Sequence, residues 1–260
     1  MSERPRSGRT AAAALGALFA APLVVLPVQA VADAWRAPAL LPQRLGTRGL
    51  QVALTGQAGS ALVNSLGVAV ATTALALLLG WPAARALGGH RLRRPTPVLV
   101  VLAMPLLVPA YATGTGLAEW FVRLGLAGSR LGLILAHLTV VLPYVVLLLA
   151  AGFDQRLGDL EDMARTMGLG TPRRLALVTL PTVFPTLAAA ALLGFLVSWS
   201  QYGLSLAIGG GLPMLPLVLL PFIRTDPQVA AALALEFLAP ALAALAVAAR
   251  ASRRQILTSR

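Results

Sequence analysis

The residues able to do chemistry are few and unevenly placed. Asp154, Asp159, Glu161 and Asp162 alternate with Arg156, Arg165, Arg173 and Arg174 within about 28 residues, a density suited to ion pairing with another protein. Glu236 stands alone in an apolar run, where an acid suits ion coupling, solute contact or gating. Ser198, Trp199, Ser200, Gln201 and Tyr202 place hydroxyls, an amide and two rings among Ala, Leu and Val. Other chemistries lack their parts. His90 and His137 lie far apart without HExxH spacing and cysteine is absent, so thiol catalysis and a histidine-rich zinc site have no ligands. All 21 basic side chains are arginine, which removes the lysine of a GxxxxGK[ST] phosphate loop. No catalytic residue, cofactor or metal is expected, and the chain is not expected to be an enzyme.

The elements that must position these residues follow from composition. Of 260 residues 58% are hydrophobic and 12% charged, with mean hydropathy +0.81, against about 25% charged in soluble domains. This excludes a disordered chain, a disulfide-built secreted module and, despite a net charge of +12, a soluble nucleic-acid binder. Charge-free stretches predict an all-α, polytopic inner-membrane bundle of about six helices, near 11–32, 61–84, 97–118, 131–153, 182–207 and 229–249. With the N-terminus in the cytoplasm, fifteen arginines flank the inner ends and six the outer ends, so the positive-inside rule absorbs most of the basic charge and both termini are cytoplasmic. Residues 1–30 also resemble a cleaved signal peptide, with Arg4, Arg6 and Arg9 before an apolar run and Val28 and Ala30 spaced as at a cleavage site. The segment 212–223, with Pro213, Pro216 and Pro221 after Gly209, Gly210 and Gly211, is too short and broken to span and is expected to be re-entrant or interfacial. Prolines 105, 109, 143, 185 and 240 are expected to kink or loosen spans.

The charged segment between the fourth and fifth predicted helices cannot enter hydrocarbon and must protrude on the inner side. It reads as a helical hairpin: a helix over Leu160–Met167, a turn at Gly168–Gly170, then a second helix with Thr171 as N-cap and Pro172 first.

Within it Asp162, Met163, Ala164, Gly168, Val178, Leu180 and Pro181 resemble the EAA loop of type I ABC importer permeases, E-A-A-x3-G-x9-I-x-L-P, a binding-protein-dependent, methionine-permease-like family. Asp, Met and Val replace Glu, the first Ala and Ile, and Glu161 beside Asp162 leaves open which acid takes the motif's role. Leu62–Leu87, where Asn64 and Ser65 open an Ala- and Leu-rich helix ending in Trp81, Pro82, Ala83 and Ala84, and Trp199–Leu235 are similar to the same family. The resemblance implies an N-terminal region 1–59, a permease core 60–249 and a basic tail 250–260. It implies that Glu161, Asp162, Met163, Ala164, Gly168, Leu180 and Pro181 form an ATPase-coupling loop, with Ala164 and Gly168 permitting close approach and Asp162 near a helix start favoured by the dipole. It also implies cytoplasmic ATP-binding subunits, a second permease identical or related, and an external, periplasmic solute-binding protein. Gln201–Leu220 is similar to permeases for thiamine, polyamines, iron or sulfate-type anions.

Candidates for the translocation path are Glu236, Ser198, Gln201, Tyr202 and Asn64. Glu236 should face the bundle interior, either lining or gating the path or bonding a neighbouring helix. Ser198 and Tyr202, four apart, would share one helical face toward a cavity, unless the aromatics only mark the membrane edge. His137 is expected to make an interhelical hydrogen bond. The competing function is an ion-coupled secondary transporter using Glu236; an intramembrane enzyme lacks both a nucleophile with a base and a metal set.

Overall fold

The computed structural model describes residues 6–258 except 37, 90, 91 and 93; His90, Arg4 and the last two residues of the tail lie outside the described residues. Helix α1 (Arg6–Ala30), 25 residues long, overlaps the first predicted span and holds Pro22 and Pro27. The connection between the first two predicted helices is structured. An antiparallel ribbon of β1 (Ala32–Ala34) and β2 (Arg44–Leu45) leads into α2 (Arg48–Leu54), which packs on the last helix of the chain.

Next comes α3 (Gly56–Gly88), whose buried face is almost wholly small: Ala61, Ser65, Ala69, Ala76, Gly80 and Ala84. Helices in lipid gain little from hydrophobicity against one another and associate through close van der Waals contact, which small residues allow. Asn64 lies inside this helix rather than opening it, because the helix begins at Gly56. The predicted third helix is two: α4 (Pro95–Leu107) and α5 (Ala110–Arg123) meet at 98°. Val108, preceding a proline, is pushed into extended backbone (φ −97°, ψ 131°), and Pro109 has no amide to continue the ladder. Pro105, Pro143, Pro185 and Pro240 lie inside helices that continue past them.

Helix α6 (Arg130–Ala150) is followed by α7 (Gln155–Thr166) outside the spans. Then α8 (Thr171–Arg174), a π-helical turn (Leu175–Thr179) and α9 (Leu180–Trp199) run on as one apolar helix, Thr171–Trp199. The predicted fifth helix ends early: Ser200 and Gln201 leave helical backbone and α10 (Tyr202–Ile208) starts anew. After Gly210 and Gly211, both at positive φ, comes α11 (Leu215–Thr225). Its 11 residues measure about 16 Å, half a bilayer core. Helix α12 (Pro227–Thr258) passes through the expected boundary at 249 without interruption.

The sequence predicts six spans, the first of which, 11–32, falls on α1, where the side chains of residues 6–14 lie outside the described residues. Among the described residues four helices are long and apolar enough to cross, and the bent pair α4–α5 makes a fifth. Charge spacing measures apolar length but is blind to a right-angled turn within it. The inner core is where α3, α6 and α9 meet, around Ala76, Val141, Val145, Leu149 and Ala190. A second cluster joins α2, α3, α12 and the end of α9 around Ala53, Ala61, Ala69, Trp199 and Leu233.

Candidate functional site

Helix α7 is built to stand outside the lipid. Asp154 caps it, accepting from the Leu157 amide at 2.9 Å, and satisfies an amide the first turn leaves free. Leu157, Glu161 and Ala164 form its buried face, while Met163 and Met167 are 62% and 77% exposed. The helix ends at Gly168, where φ is +83° and the Leu169 amide returns to the Ala164 carbonyl. A side chain there meets open space but a strained backbone.

Four expectations for this segment change. Asp162 stands well inside the helix and pairs with Arg165 at 3.4 Å, so Asp154, not Asp162, meets the helix dipole. Ala164 faces the bundle rather than a partner. Gly170, in extended backbone, precedes the next helix, which Thr171 opens and Pro172 follows, so Thr171 is not the N-cap. The second arm of the hairpin is the beginning of the fifth span itself, which leaves Leu180 and Pro181 in its first turn beyond the π-helical segment.

The two adjacent acids differ in environment. Glu161 is 6% exposed, and its two carboxylate oxygens reach different spans: Arg85 Nη2 on α3 donates to Oε2 and Thr179 Oγ1 to Oε1, each at 2.5 Å. The Arg85 guanidinium also lies over the Phe153 ring, 5.9 Å from its centroid. Leaving such a buried charge unpaired typically costs about 3–5 kcal/mol. Sequence reasoning missed Arg85 and Thr179, because a pairing 76 residues apart leaves no local signal.

At the opposite end, Asn64 Nδ2 donates to the Pro213 carbonyl (3.0 Å), Arg130 Nε donates to Asn64 Oδ1 (3.0 Å), and the Leu215 amide donates to Ser65 Oγ (2.8 Å). These bonds hold the 209–215 turn that starts α11. Beside it lies a cavity of about 510 Å³, lined by Gln57, Ser205, Gly210, Gly211, Pro213 and Phe222 among others. None of the five predicted path residues is among its lining. Ser198 and Tyr202 do not share a helical face, because the helix breaks between them. Ser198 is instead buried on His137 Nδ1 at 2.9 Å, the interhelical bond expected of that histidine. Gln201 sits in the break, and its carbonyl accepts from Ser205 Oγ at 2.6 Å. Tyr202 is 38% exposed at the start of α10. Glu236 is buried as expected, but neither carboxylate oxygen has a hydrogen-bond partner, so the alternative bond to a neighbouring helix does not form.

No family model matches the chain. The molybdenum transport system permease protein ModB of Mycobacterium tuberculosis is 32% identical over 220 residues, covering 78% of this chain and 83% of that protein. The chain belongs to the ABC importer permeases. A further relative of the permease, the trehalose transport system permease protein SugB of Mycobacterium tuberculosis, is 34% identical over 151 residues, 57% of this chain and 54% of SugB. The permease is thus an integral membrane subunit of an ATP-driven importer, a member of transport systems with ATPase and solute-binding partners. Its relatives are transport permeases rather than enzymes, and the ion-coupled carrier on Glu236 gains no support.

Proposed function

We propose that α7 and its Gly168 turn are the surface on which a separate cytoplasmic ATP-binding subunit docks. Asp162, Met163 and Met167 meet the partner, while Glu161, Ala164, Leu180 and Pro181 hold the helix to the inner ends of the spans. Two ATPase subunits and a second permease chain, identical or related, complete the transporter in the cell inner membrane. An external solute-binding protein delivers solute to the opposite face, where the cavity beside Ser205, Gly211 and Phe222 forms the mouth of the path. Asn64 positions that mouth, Gln201 and Tyr202 flank it, and Glu236 is the path's buried acid. Both termini are cytoplasmic, which the distribution of arginines supports.

The observation that carries this reading is a helix outside the spans whose charged outward side also exposes two large apolar side chains, Met163 and Met167, next to a turn only glycine opens easily. The chain has no lysine with which to build a phosphate loop of its own. The two relatives are named for an element and a disaccharide, so the sequence they share with the permease supports common machinery rather than one cargo.

The test is co-purification with the permease's own ATPase subunit. Gly168→Trp, and separately the pair Met163→Glu with Met167→Glu, are expected to cut recovery of the ATPase about tenfold, a loss of some 1.4 kcal/mol, with permease levels in the membrane unchanged. Full recovery with both variants overturns the reading.

A further inference from the structure

We propose that Arg85 is a positioning residue for energy transmission: with Glu161 and Thr179 it bolts the coupling helix α7 to the inner ends of α3 and α9, so that a push on α7 moves both spans together. This rests on the docking role given to α7 above. Without the bolt, α7 is held on the bundle chiefly by Leu157 and Ala164, apolar contacts that tolerate sliding. One carboxylate with an oxygen on each span removes that freedom, because a slide in either direction breaks a charge-assisted bond.

The grip on α9 falls where that helix is least regular. Thr179 closes the π-helical turn Leu175–Thr179, in which the Leu180 amide reaches back to the Leu175 carbonyl, and Pro181 follows without an amide. The Thr179 hydroxyl has a second acceptor nearby, the Arg174 carbonyl at 3.5 Å. Release of Glu161 therefore leaves Thr179 satisfied within its own helix, and α9 is free to change pitch there. On the other side, Arg85 is braced by Phe153, which meets Trp81 in a T-shaped contact at 5.0 Å between centroids. A cavity of about 350 Å³ under α7, lined by Arg85, Phe153, Gly158 and Glu161 among others, gives the guanidinium room to swing away when the pair opens.

The permease contains no cysteine, so one introduced thiol reports alone. Leu206→Cys, beside the cavity at the opposite end, serves as reporter in the complete complex with its ATPase. Its rate of labelling by a bulky maleimide is compared without nucleotide and after trapping with ATP and vanadate, read on the permease band. The reporter alone is expected to change rate severalfold on trapping. Arg85→Gln abolishes that change while recovery of the ATPase stays at the level of the reporter alone, and Arg85→Lys restores it. A merely structural arginine would not separate docking from movement in this way. The proposal is overturned if Arg85→Gln keeps the change, or loses the ATPase. Where Arg85→Gln does not accumulate, Thr179→Val removes one hydroxyl without changing volume and carries the same comparison. If the α7 variants above leave ATPase recovery untouched, the docking reading falls and takes this one with it; if they lower it but the reporter alone does not respond, the docking reading stands and the transmission proposed here is overturned. If docking depends on α7 and the reporter responds, only the role of Arg85 is at stake.

Discussion

Arg48 and Asp226, 178 positions apart, form a two-pronged pair with bonds of 2.6 and 3.0 Å that fastens α2 to the start of α12. The Arg48 hydrogen bond is the main reason the Asp226 carboxyl titrates below its ordinary range, with the Val229 amide adding to it against the cost of burial. A carboxylate with a depressed folded value contributes stability above its unfolded value, near pH 4, and loses it as pH falls through the folded value. The Arg48 side chain is 54% exposed, so the contribution is that of a screened pair, about 0.2–1 kcal/mol. Asp226→Asn should lower the melting temperature in detergent at pH 7, and the gap from the unaltered protein should close below pH 4. A constant gap across that range would mean that charge is not what Asp226 contributes. Gly168 makes a different residue-scale case, since its substitution meets no neighbour. Gly168→Ala should cost about 1–2 kcal/mol of turn stability through positive φ alone, read as faster amide exchange at residues 164–169, with the spans unaffected.

At the scale of elements, the breaks between helices are held by side chains distant in sequence. Between α9 and α10, Ser198 Oγ lies 2.9 Å from His137 Nδ1, Ser205 Oγ lies 3.4 Å from Nε2, and Ser205 donates to the Gln201 carbonyl. With the Ser205 hydrogen committed to Gln201, Nε2 carries the imidazole proton and Nδ1 accepts from Ser198. One ring thereby satisfies both sides of the break. Trp199 locks the end of α9 by donating to the Phe237 carbonyl at 2.9 Å and stacking on Phe195 and Phe237. His137→Leu orphans the buried Ser198 hydroxyl at about 1–3 kcal/mol, while Ser205 keeps its bond to the Gln201 carbonyl. Amide protection over 200–208 should drop by tenfold or more while that of α6 holds; equal protection would assign the break to Trp199 instead. These contacts also mark what the sequence concealed. The α4–α5 break is legible, because Val108–Pro109 carries it in two residues. The α9–α10 break contains no proline or glycine at 200–201 and depends on a histidine more than 60 positions away. That the charged segment 154–170 forms a helix outside the spans is likewise legible. That Glu161 turns inward and Met167 outward became visible only once Arg85 and Thr179 were in place.

At the scale of the whole molecule, side-chain contacts constrain how often the chain crosses the bilayer, since groups in direct contact at the bundle ends lie on one side of it. Arg85 and Glu161 touch, and between them stand the bent pair α4–α5 and the span α6. One crossing would put them on opposite faces, so α4–α5 must cross as well, despite its 98° turn. Arg48 and Asp226 give the same answer independently: α3, α6 and α9 alone would separate them, and a fourth crossing returns the chain to the face it left. Residues 31–55 and 154–170 are then separated by three crossings and lie on opposite sides. Single thiols at Leu40, 91% exposed on the ribbon connection, and at Asp159 on α7 test this with a membrane-impermeant maleimide. Leu40→Cys should react in intact cells with the outer membrane opened, Asp159→Cys only in inverted vesicles. Labelling of both from the same side would remove α4–α5 from the spans. Labelling with the sides exchanged would keep the crossing count and reverse the orientation, placing α7 where no ATPase can reach it.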